Sequence, residues 1–186
     1  MNNTALILID MQNGMQTYRP GARNNPGAER QMAALLQAWR TAGLPVVHVR
    51  HISREHNSVF APGQSGAAFQ PAFEPLPLEH VVEKNVPDAF IQSGLERWLH
   101  VRAICDLVIV GVATNNSVES TARSAGNLGF NTTVVADATY AYAQPDYVGV
   151  ARSAEDVHMM SLANLDGEYA MVRSTAEILE DLQVSR

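Results

Sequence analysis

Short β-rich runs alternate with stretches of helical period along most of this chain, and that alternation admits few folds. Strands separated by helices pair in parallel, because a crossover helix carries the chain back to the same end of the sheet. The runs fall at 5–10, 45–50, 80–83, 107–111, 132–136 and 168–172. Between them Met32, Leu35, Leu36 and Trp39 recur at i, i+3, i+4 and i+7, and Gly43 closes that helix. Leu95, Trp98 and Leu99 mark a second helix. A third, carrying Val118, Thr121, Ala122, Ala125 and Leu128, starts at the turn around Ser117 and stops at Gly129. Ser174 and Glu177 form a capping box for a last helix that buries Ile178, Leu179 and Leu182. The expected architecture is α/β, a single domain over 1–186 with helices on both faces of a mainly parallel sheet of about six strands.

The segment 51–79 breaks the alternation. It has no sustained period but holds Pro62, Pro71, Pro75 and Pro77 together with Phe60, Phe69 and Phe73. Spaced aromatics in so long a loop favour an ordered lid or wall over a ligand pocket.

Composition narrows the partners. A formal charge of −6 and a pI near 5.4, with no basic patch, argue against nucleic acid and against an anionic membrane surface, and favour a small-molecule ligand. The apolar run 5–9 is too short for a signal peptide or a membrane span, so a cytoplasmic location is expected. The one cysteine, Cys105, allows no intramolecular disulfide. It precedes the fourth strand and reads as a buried structural thiol.

Three strands end in side chains with chemistry. Leu6-Ile7-Leu8-Ile9 runs into Asp10, Val81-Val82-Glu83 into Lys84, and the run ending at Val112 leads to Ser117 where a helix begins. Ligands of open parallel sheets bind outside the carboxyl ends of the strands, near the point where strand order reverses. Taken singly, Asp10 reads as a turn cap, Lys84 as a solvated cation and Ser117 as an N-cap. Jointly they read as a site, because a lysine and a carboxylate at the ends of apolar strands are costly unless they pair or work.

These residues lie in a larger pattern. Ile7-Leu8-Ile9-Asp10-Met11-Gln12-Asn13, Val82-Glu83-Lys84 with Ala89-Phe90, and Val110-Gly111-Val112-Ala113-Thr114 leading to Val118-Glu119-Ser120-Thr121-Ala122-Arg123 resemble the isochorismatase-like cysteine hydrolase superfamily. Val134-Val135-Ala136-Asp137-Ala138 and Ser161-Leu162-Ala163-Asn164-Leu165 extend the similarity over nearly the whole chain. The resemblance implies a three-layer α/β/α fold, an Asp-Lys-Cys triad and hydrolysis of small amides or ureas, here with catalytic Asp10, Lys84 and Ser117. It also implies a cis peptide at Val112–Ala113 and an oxyanion hole from the backbone N–H groups of Ala113 and Ser117.

Ser117 stands where the family has its cysteine. Ser117 is either a Cys→Ser replacement made to trap substrate, which the surrounding amidohydrolase motif favours, or a natural serine with altered chemistry. A serine hydroxyl beside a carboxylate base should acylate slowly. The isochorismate hydrolases among the relatives lack the thiol and cleave a vinyl ether with the acid, so Asp10 as general acid is the alternative; a catalytically silent binding member is a third.

Nicotinamidases of the superfamily carry an Asp-x-His metal motif that Arg50-His51-Ile52-Ser53-Arg54-Glu55-His56 lacks, so no metal and no cofactor are expected. His51, Glu55 and His56 read as polar loop residues and His158 as a satisfied structural histidine. Gln12, Phe90, Val112 and Asn116 are candidate substrate contacts, with Tyr140 and Tyr142 closing the far side or lying as amphipathic surface tyrosines. The resemblance also implies a homo-oligomer, dimer or tetramer, with apolar contact available on helices bearing Trp39, Trp98, Met159 and Met160.

Overall fold

The computed structural model describes residues 3–17 and 21–184. It is a single α/β domain built on a six-stranded parallel sheet. The strands are β1 (Thr4–Ile9), β2 (Val46–His51), β3 (His80–Lys84), β4 (Asp106–Val112), β5 (Asn131–Tyr140) and, at the far edge, Met171–Arg173. In space the order is β3, β2, β1, β4, β5 and then Met171–Arg173, so the winding direction reverses between β1 and β4. A two-residue hairpin, β6 (Gln144–Pro145) with β7 (Ala151–Arg152), stands apart, and the edge strand Met171–Arg173 is therefore β8.

All six residues of β1 are buried, the mark of a central strand covered on both sides. Ala5, Ile7 and Ile9 join Val47, Val49, Val82, Leu107 and Ile109 on one face. That face is covered by α2 (Leu95–Val101), α3 (Glu119–Asn127) and α4 (Ala154–Leu165). Leu6, Leu8, Val108, Val110 and Val112 point to the other face, under α1 (Ala28–Ala42) and α5 (Thr175–Val184). The helix stops act as read: Gly43 has φ 65° and Gly129 φ 87°, conformations that glycine adopts without steric cost. Ser174 and Glu177 make the reciprocal cap of α5.

Several expectations are corrected. The last strand is Met171–Arg173 and not 168–172, because the N–H groups of Tyr169 and Ala170 turn back onto the carbonyl of Leu165 at the end of α4. β5 runs on to Tyr140, and Tyr140 and Tyr142 are buried against the α1 face instead of lying on the surface. The Tyr142 hydroxyl donates to the Met15 carbonyl at 2.6 Å. Trp39 is fully buried, its indole N–H on the Thr4 carbonyl at 2.9 Å, so it offers no surface to a second copy. Cys105 is exposed; the turn before β4 leaves it outside the core. Met159 and Met160 are exposed. Among the described residues no helix is long and apolar enough to cross a membrane.

The segment 52–79 is ordered. Short 3₁₀ turns at Ser65–Ala67 and Pro71–Phe73 punctuate it, and Phe60, Phe69 and Phe73 all point inward.

Candidate active site

Asp10 leaves β1 at the reversal point with φ 54°, its N–H on the Val49 carbonyl at 2.9 Å. Lys84 ends β3, two strands away. Its side chain reaches past the end of β2, and Nζ donates to Asp10 Oδ2 at 2.7 Å and to Ser117 Oγ at 3.2 Å. The three residues are 1 %, 3 % and 5 % exposed, so water contributes little to screening the ion pair. Asp10 Oδ1 is buried with no hydrogen-bond partner among the described residues. One ammonium therefore bridges a carboxylate and a hydroxyl.

Ser117 does not cap α3. Residues Thr114–Val118 form a single π-helical turn ahead of that helix, and the serine hydroxyl is engaged by Lys84. The Val112–Ala113 peptide is cis. Gly111 precedes it at φ 125°, where the sheet register with β5 shifts; a Cβ there would lie 2.2 Å from the Ile9 carbonyl oxygen, so only glycine lets β4 pass β1 so closely.

The sequence reading missed how this turn is held. His158 and Ser161, three residues apart on α4, both reach Thr114. His158 Nδ1 lies 2.9 Å from Thr114 Oγ1, and Ser161 Oγ lies 3.0 Å from the Thr114 carbonyl oxygen and 2.7 Å from Glu119 Oε2. Burial lowers the His158 pKa, which keeps the ring neutral and able to accept the threonine hydroxyl proton. The i, i+3 spacing of His158 and Ser161 was the available signal.

The remaining candidates divide. Gln12 is fully buried, but its amide is spent on the long loop: Nε2 donates to the carbonyls of His51 and Ala67 at 2.9 Å, and Oε1 accepts the His51 N–H at 2.7 Å. It fixes the wall and is not free to bind a ligand. Phe90 stacks on Phe130, centroids 5.7 Å apart, against the core of the α3 face. Val112 is buried in the opposite core, whereas Asn116 is exposed beside Ser117. A cavity of about 1120 Å³ opens between the 52–64 segment and the end of β3, lined by Ser53, Glu55, His56 and Asn85 among others. It touches Lys84 but neither Asp10 nor Ser117. No group of three or more His, Cys, Asp or Glu side chains suited to a metal occurs among the described residues.

Comparison with known proteins places the fold in a family. An isochorismatase-family protein of known crystal structure from Chromobacterium violaceum superposes with a TM-score of 0.96 at 48% identity, over 99% of this chain and 95% of that one. The isochorismatase-family protein YrdC of Bacillus subtilis is 34% identical over 95% of each chain. Maleamate amidohydrolase of Pseudomonas putida is 28% identical over 96% of this chain and 86% of its own length. The isochorismatase domain model matches residues 4–177, and the chain accordingly belongs to the isochorismatase family.

Proposed function

We infer that this chain hydrolyses the C–N bond of small amides, with Ser117 as nucleophile, Asp10 as the proton-transferring group and Lys84 as the cation that orients both. The observation that carries the reading is the Lys84 ammonium bound at once to Asp10 Oδ2 and Ser117 Oγ. Relatives that include an amidohydrolase support it.

The reaction runs in two halves. Asp10 takes the hydroxyl proton while Ser117 Oγ bonds to the amide carbon, and the carbonyl electrons move onto an oxyanion facing the backbone N–H groups of Ala113 and Ser117. Collapse breaks the C–N bond, and protonated Asp10 returns its proton to the leaving nitrogen. Water then attacks the ester, again giving a proton to Asp10, and the proton passes to Ser117 Oγ as the acid departs. A hydroxyl is a poorer nucleophile than a thiolate, so on this reading Ser117, whether made or inherited, marks a slow form of the amidase.

A second reading uses Asp10 as proton donor to a vinyl ether such as isochorismate, with no covalent intermediate. The free Asp10 Oδ1 and the missing thiol favour it. Ammonia release from a panel of small primary amides separates the two. The amidase reading expects Ser117→Cys to release ammonia on the order of tenfold faster than the unmodified chain. Isochorismate turnover by the unmodified chain, with no ammonia from either form, would replace it with the second reading, and inactivity on both substrates would leave a silent binding member.

A further inference from the structure

His51 is the last residue of β2 and the register partner of Lys84 in β3. In a parallel ladder the side chains of register partners stand on the same face. Here that face is fixed by the preceding residues: Val47 and Val49 on β2 and Val82 on β3 all lie in the core beneath α3, with Val118 and Ala122. His51 and Lys84 continue those two rows beyond the apolar core, toward the turn that carries Ser117.

Lys84 uses its position to touch Asp10 and Ser117. The His51 main chain is fixed by the Gln12 amide, through both its N–H and its carbonyl, and the ring packs edge-on against Phe60 at 5.9 Å. Yet the half-buried ring makes no hydrogen bond through either nitrogen among the described residues. A rigidly mounted imidazole with both nitrogens unengaged, at the end of the strand beside the one that leads to Asp10, is built to meet a ligand.

We propose that His51 is a substrate-contacting, specificity-determining residue: its uncharged ring accepts an N–H of the amide that is cleaved, restricting the site to primary and secondary amides. The inference rests on the amidase reading. Burial and then the Lys84 charge hold His51 below the ordinary histidine pKa, with Asp10 opposing, so the ring keeps its acceptor lone pair at neutral pH. Lys84 on β3, Asp10 after β1 and the Phe60 ring of the loop are the groups that face it.

The test uses the full chain carrying Ser117→Cys and Cys105→Ser, the second change removing the exposed thiol. Iodoacetamide alkylates the thiol introduced at position 117 as the S–C bond forms and iodide leaves, placing a primary amide in the site; N,N-dimethyl iodoacetamide places a tertiary amide there, which has no N–H. Histidine ring signals are followed by NMR across pH. The expected result is that the first adduct lowers the apparent His51 pKa further while the second does not, and that a histidine remote from the site, His80, titrates as before with both. Full alkylation of the introduced thiol with an unmoved or raised His51 pKa would overturn the inference and leave the amidase reading standing. Failure of that thiol to alkylate would sink the amidase reading and this inference with it. Turnover gives the second arm: with primary amides cleaved by Ser117→Cys, adding His51→Phe should raise KM about tenfold with kcat nearly kept, and His51→Gln, which retains an acceptor, should restore much of the loss. An unchanged KM in His51→Phe would overturn the inference.

Discussion

Replacing Lys84 by methionine keeps much of the side chain's length and removes its charge, leaving the Asp10 carboxylate buried without its partner at 2.7 Å. Breaking one side of a buried pair costs about 3–5 kcal/mol. Urea unfolding of Lys84→Met should show a loss of that order, and Asp10→Asn added to it should recover part of the loss. Equal stability of Lys84→Met and the unmodified chain would mean that the pair is far better solvated than its burial indicates. The sequence made these residues legible because each follows an apolar run whose period places its end. It concealed the work of Gln12 and Thr114, whose partners lie 39 to 55 residues away and leave no local trace.

At the scale of elements, the segment 52–79 is held at both ends. Near β1 the Gln12 amide substitutes for a strand residue where β1 and β2 diverge. Gln12→Leu keeps the bulk and loses three hydrogen bonds; limited proteolysis should cut it within 53–68 faster than the unmodified chain, with α1 and β4 protected as before, and an unchanged cleavage rate would deny Gln12 this role. At the other end Glu79 accepts from Arg40 at 2.7 and 2.8 Å and from the Leu76 N–H at 2.8 Å, and lies 2.8 Å from His48 Nε2. Burial pushes the Glu79 carboxyl up, but Arg40, the Leu76 N–H and His48 outweigh it and hold it at about 2 against an ordinary 4.5. A depressed carboxylate stabilises the fold above its unfolded value, and that contribution is lost as pH falls from about 4.5 toward about 2. Burial also lowers His48, so the unfolded chain takes up that proton first, and stability already declines below the ordinary 6.5. Thermal melts should fall in both windows, and Glu79→Gln should flatten the lower one; an undiminished acid slope in Glu79→Gln would place the acid sensitivity elsewhere.

For the whole molecule, the parallel sheet and its two helical layers were legible because β1 and β4 carry near-unbroken apolar runs, β2 and β5 are rich in β-branched residues, and α1 carries a clean apolar stripe. The edge was not: β8 has three residues, and the preceding turn competes for its backbone groups. Tyr140 and Tyr142 misled because an amphipathic tyrosine looks the same in sequence whether its hydroxyl reaches water or, like that of Tyr142, a buried carbonyl. The reversal of strand order between β1 and β4 turns three remote strand ends into one site, since it sets Asp10 beside the turn that carries Ser117. Acetyl transfer tests that convergence most directly: the unmodified chain is incubated with p-nitrophenyl acetate and the acetylated peptide is identified by mass spectrometry. The prediction is an ester on Ser117, absent in Ser117→Ala and formed on the order of 10²–10⁴ times more slowly in Asp10→Asn. Acetyl groups found only on other residues, or an Asp10→Asn rate equal to that of the unmodified chain, would contradict it.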